Sequence, residues 1–205
     1  MTRLGEKSLQ SHFLSNRIWY AVVLVLMFGG IILGSVIGAK SGSYSGDTEY
    51  IESIFSVFKL QNINHSELFM KSVLPILRNI FLIWLSGFFI LLIPLNFIVI
   101  ASKGFAIGYT ISFFVSTKGV LGGIFVFAAL FFQYTILLPA LLVYSVIQLN
   151  FALNLHSIKN SSAHYKQRRH LIFKNIWPLA AMSGIAMLCG YIETYIVPSA
   201  ARFIL

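Results

Sequence analysis

The sequence predicts an all-α fold: a polytopic helical membrane protein of about five transmembrane spans, with a middle segment open to a broken or re-entrant arrangement. Three observations predict it. Of 205 residues, 58% are hydrophobic and only 10% charged, whereas a soluble domain carries about a quarter of its residues charged. A water-soluble fold of this size could not hide so much apolar surface. Several apolar runs approach the ~20 residues that a helix needs to cross ~30 Å of hydrocarbon. The charges fall mainly in short segments between those runs, where membrane topology places them.

The first element, residues 1–17, is a short polar tail with Arg3, Lys7 and Arg17 against Glu6, a basic edge that belongs in the cytoplasm. Residues 18–39 hold no charge and form the first span, at about 33 Å long enough to cross. Its length exceeds the ~7–15 residues of a signal-peptide core, so it reads as an uncleaved span that doubles as a targeting signal. Gly30, Gly34 and Gly38 recur at four-residue spacing and make a small-residue ridge for close approach of another helix.

Residues 40–71 form an extracytoplasmic segment and hold four of the six acids, Asp47, Glu49, Glu52 and Glu67. A flexible SGSYSG linker precedes DTEYIESIFSVFKL, whose apolar residues recur at helical spacing. It reads as a short amphipathic helix capped by Asp47 or Thr48.

Residues 72–155 are assigned to membrane helices. The uncharged run Asn79–Ser102 reads as the second span, kinked at Pro94, and Lys103 marks its cytoplasmic end. From Gly104 to Ser157 the single Lys or Arg is Lys118. Two spans fit if Lys118-Gly119 and Gly122-Gly123 lie near the outer turn. The first limb is short for a crossing and the second is too long for one straight span. Gln133 and Pro139 sit where a break would expose backbone, and such backbone must be buried in protein or line a cavity.

Residues 156–174, HSIKNSSAHYKQRRHLIFK, carry five Lys or Arg and three His. This is the basic cytoplasmic loop, placed to touch anionic headgroups. Residues 175–205 hold the last span and an outer C-terminus, with Glu193 near the outer end. The N-terminus is then inside and the C-terminus outside.

The net charge of +9 can signal nucleic acid, but its placement between apolar runs assigns it to topology; the expected partner is membrane lipid and not nucleic acid. The one cysteine, Cys189, gives no disulfide framework and reads as a small buried hydrophobe. No HExxH, GxSxG or P-loop pattern occurs, and Asp47 is the only aspartate, which excludes an aspartyl intramembrane protease. The histidines lack a metal-ligand spacing. No catalytic, cofactor or metal residues are assigned, and the chain is not expected to be an enzyme.

Two function classes remain. A transporter would use polar groups at broken helices, here Asn96, Gln133, Gln148, Asn150 and Glu193. A scaffold would need only packing and partner surfaces. For Glu193 a structural polar contact is favoured, because intramembrane carboxylates are usually paired. Arg78 is at comparable depth.

Three stretches carry a family resemblance. SKGFAIGYTISFF (102–114) resembles the Lys/Asn-Gly-Phe-x-x-Gly-Phe/Tyr signature of the stage II sporulation protein M family, with Gly104 and Gly108 at the glycine positions. FQYTILLPALL (132–142) resembles its next segment through Gln133 and Pro139, with Phe132 in place of a first Pro. GYIETYIVP (190–198) is similar to its Glu-x-Phe/Tyr-x-x-Pro ending, through Glu193 and Pro198. The resemblance implies a non-enzymatic scaffold at the sporulation septum. Its implied partners are the peptidoglycan-degrading stage II sporulation proteins D and P, recruited during engulfment. A homo-dimer is compatible with the glycine ridge, and a small oligomeric transporter or permease component is the alternative.

Overall fold

A computed structural model of the chain describes residues 15–42, 65–157 and 165–204. The described residues are helical almost throughout, with no strand among them. The helices are α1 (Arg17–Ser41), α2 (His65–Ser86), a 3-10 turn (Ile90–Leu92), α3 (Ile93–Ser157), α4 (Tyr165–Lys174) and α5 (Ile176–Ile204). Five stretches are long and apolar enough to cross a membrane: Arg17–Ser41, Ser66–Ser86, Ile90–Thr117, Tyr134–Ser157 and Leu171–Tyr195. The expected amphipathic helix from Asp47 lies outside the described residues.

The path between the first and last spans differs from the expected one. The second span is not Asn79–Ser102. It begins at Ser66, runs through Pro75 and Arg78 and ends at Ser86. Pro75 and Arg78 both face outward, so neither interrupts the packed side. In its first turn Glu67 pairs with Lys71 at 2.7 Å, an i,i+4 pair oriented to favour the helix start.

The chain then turns at Gly87-Phe88-Phe89. Gly87 N–H donates to the Trp84 carbonyl at 3.0 Å and Phe88 N–H to that of Leu85 at 3.2 Å, while Phe89 is extended (φ −129°, ψ 125°). A Cβ on Gly87 would collide with Gln148 Oε1, so any larger residue in this turn must displace the Gln148 side chain. Pro94 therefore does not kink a span; it stands in the first turn of α3, where its missing N–H costs no helix bond.

The middle segment is a helical hairpin of two limbs. α3 departs from helical geometry at Gly119 (φ 64°, ψ −149°), a conformation almost confined to glycine. Beyond it the second limb folds back on the first. Val126 packs with Ile111 and Phe114, and far down the pair Asn96 bonds to Ser145. The second limb is not broken at Pro139, which lies exposed within a continuous helix. Its span, Tyr134–Ser157, starts well after the turn, which is how a limb too long for one crossing is accommodated.

The core gathers where the spans meet. Val23 and Met27 of α1, Ile76, Ile80 and Ile83 of α2, Leu137, Leu141 and Tyr144 of the second limb, and Met182, Ala186 and Cys189 of α5 are all buried in it. The outer faces keep large apolar side chains exposed, among them Phe28, Leu33, Leu74 and Leu91. That inversion suits a lipid solvent.

Candidate functional site

Three constructions inside the bundle use the residues that carry chemistry. The first is a glycine seam between α1 and the first limb of α3. A Cβ on Gly30 would strike the Ala101 carbonyl, one on Gly34 that of Phe105, and one on Gly38 that of Tyr109. The contact is reciprocal: a Cβ on Gly104 would strike the Met27 carbonyl and one on Gly108 that of Ile31. The two helices run parallel with their backbones touching, as small-residue seams allow. Ser35 Oγ donates to the Ile31 carbonyl at 2.8 Å, and Phe105, Tyr109 and Phe113 stack in a row with centroids 6.1 and 5.8 Å apart. The ridge expected at Gly30, Gly34 and Gly38 and the Gly104–Gly108 motif are thus two sides of one contact within the chain.

The second construction is a charge cluster across three helices. Lys103 lies at the middle of the span Ile90–Thr117, half-buried, and not at a membrane boundary. It stands in the electrostatic field of Glu193 from α5 and of Arg78 from α2. Glu193 also acts on Tyr134 and Cys189. Glu193 is half-buried near the end of its span, on the turn above Gly190, which abuts Val73 and Phe69 of α2. Arg78 is exposed on the outer face of α2. The cluster contains two cations and one carboxylate within apolar spans, where each uncompensated charge costs about 2.5–3.5 kcal/mol.

Lys103 is the residue that the sequence reading misplaced. The signal for it was present: a lysine followed at once by Gly104 and Gly108 at seam spacing belongs inside a span. The side chains of Gln133 and Pro198 lie outside the described ones, although both residues are helical.

The third construction is a pair of reciprocal polar clasps. Asn96 Nδ2 donates to the Ser145 carbonyl at 3.1 Å, and Ser145 Oγ donates to Asn96 Oδ1 at 2.8 Å. Gln148 Nε2 donates to Asn175 Oδ1 at 2.9 Å, and Asn175 Nδ2 donates back to Gln148 Oε1 at 3.1 Å. All four residues are buried. The first clasp ties the two limbs of α3, and the second ties the hairpin to the junction of α4 and α5. Asn96 and Gln148 are among the residues that a transporter would use as ligands; here their side chains are bonded to Ser145 and Asn175.

Replacing Asn175 by leucine leaves Gln148 without its partner, a loss of about 1–3 kcal/mol. Thermal unfolding in detergent should show a lowered midpoint, and adding Gln148→Leu should restore part of it. Among the described residues no group of His, Cys, Asp and Glu is arranged to hold a metal ion.

The family model for stage II sporulation protein M matches residues 22–198, a range that contains the seam, the charge cluster and both clasps. No curated protein and no solved structure matches the chain.

Proposed function

The chain belongs to the stage II sporulation protein M family and is a multi-pass membrane protein, and on that premise we propose that it is a non-enzymatic scaffold of the sporulation septum. In this reading it recruits the peptidoglycan-degrading stage II sporulation proteins D and P during engulfment. The observation that carries the reading is the family match along most of the chain. The positive-inside rule supports placing the basic α4 end in the cytoplasm. The Gly87–Phe89 turn between α2 and α3 then lies on that side, and the Gly119 tip faces the wall.

The surface best suited to hold a partner is the outer face of α2. Met70, Leu74 and Phe81 are 64%, 65% and 52% exposed, and Arg78 stands among them. An arginine exposed near the middle of a span calls for an acidic group at its depth. A partner's transmembrane helix with one carboxylate at that level meets the requirement. Arg78→Leu should reduce co-isolation of the two hydrolases from sporulating cells at least several-fold, with the protein still present in the membrane. Undiminished co-isolation would remove this face from the reading.

The charge cluster favours a second reading, a small transport component, since intramembrane ionisable groups mark ion paths in many carriers. Ion or solute flux through proteoliposomes of the purified chain separates the two.

A further inference from the structure

A cleft opens at the α4 end of the bundle, where α1 begins, the second limb of α3 ends and α4 passes into α5. Its volume is about 520 Å³, within the ~300–1,000 Å³ of small-molecule sites. Asn16, Asn150, Asn154, Asn175 and Lys174 line it, with Phe151 on one wall. It lies at the level where three spans reach their limits, at Arg17, Ser157 and Leu171. Spans that end there place that level at the headgroup layer of a bilayer they cross.

We propose that this cleft seats the phosphoglycerol headgroup of an anionic phospholipid. Asn150 and Asn154 offer amide N–H donors and carbonyl acceptors together, which is what a group with both phosphate oxygens and hydroxyls requires, while the Asn175 amide is held by Gln148 and shapes the wall. Lys174 is exposed at the rim and supplies the charge that a phosphate monoanion selects. Among the described residues no carboxylate lines the cleft, so a choline or ethanolamine cation finds no counter-charge from them. Asn150 Nδ2 is buried without a hydrogen-bond partner. A ligand oxygen reached by turning that amide would recover the cost of an unmet donor. Leu171 and Pro178 complete the lining and give the adjoining glycerol and acyl carbons apolar contacts.

Binding in this cleft is independent of hydrolase recruitment. The full-length chain in phosphatidylcholine nanodiscs doped with fluorescent phosphatidylglycerol or fluorescent phosphatidylethanolamine tests it. Phosphatidylglycerol should be enriched around the wild type and phosphatidylethanolamine should not. Lys174→Gln should lower the preference about five-fold, equivalent to about 1 kcal/mol for one basic residue. Asn150→Leu should lower it further, and Asn154→Leu, at an exposed position, serves if Asn150→Leu fails to fold. Inorganic phosphate and glycerol 3-phosphate should compete poorly. Equal enrichment of both lipids, variants that keep the full preference, or displacement by free phosphate as effective as by lipid would each overturn the proposal.

Discussion

Gly34→Leu is expected to abolish accumulation of the folded protein in membranes. A Cβ at Gly34 meets the backbone of Phe105 and Tyr109, and backbone cannot rotate out of the way as a side chain can. The insertion must push α1 off the first limb of α3 and open the seam that also contains Gly30, Gly38, Gly104 and Gly108. Overpacking that is relieved by side-chain shifts costs about 1–3 kcal/mol, and this substitution leaves no such relief, so the loss should exceed about 3 kcal/mol. Gly108→Leu, which strikes Ile31 from the other side, should match it. Gly29→Leu is the control. A Cβ there meets nothing within 4 Å, and its yield and melting temperature should equal those of the wild type. Membrane-fraction immunoblots and thermal unfolding in detergent give the comparison.

Glu193→Leu is expected to have the second largest effect. It leaves Lys103 and Arg78 as neighbouring like charges with the nearby carboxylate gone, at a cost of about 2.5–3.5 kcal/mol for a charge stranded at span depth. Lys103→Leu alone should also destabilise, because it removes a cation that acts on the Glu193 carboxylate. The double variant Lys103→Leu, Glu193→Leu should be more stable than either single one, since replacing a compensated pair by apolar groups is often neutral. Additive losses in a double-mutant cycle would show that the two charges do not compensate one another. Glu67→Gln is the exposed counterpart: its pair with Lys71 lies at the surface, where water screens it, and the melting temperature should stay at the wild-type value.

The membrane fold was legible because length and hydropathy are local properties. α1 could be bounded to within a few residues from its uncharged run and its glycine spacing. The turn at Lys118-Gly119 was legible because a charge and a flexible residue coincide there. The second and third spans were not. Hydropathy weighs Arg78 and Lys103 as boundary residues, since nothing local distinguishes a charge facing water from one that another helix compensates. For Lys103 the compensating group, Glu193, is on the last helix and becomes visible only when α3 and α5 are brought together. Pro94 misled for a related reason. Proline is a breaker inside a helix and a favoured residue at its start, and Gly87, which sets where the start falls, is confined by Gln148 from the hairpin's other limb. The clasps followed the same logic: Asn96 and Gln148 were visible as polar residues in apolar runs, but their use as structural ties depends on partners 49 and 27 residues away.

The most direct test of the scaffold role places the purified chain in proteoliposomes with isolated peptidoglycan, alone and with the two hydrolases. The chain alone should release no soluble wall fragments, and the hydrolases should be retained on the proteoliposomes in its presence and lost in its absence. Wall fragments released by the chain alone, or hydrolases retained equally on empty liposomes, would contradict it.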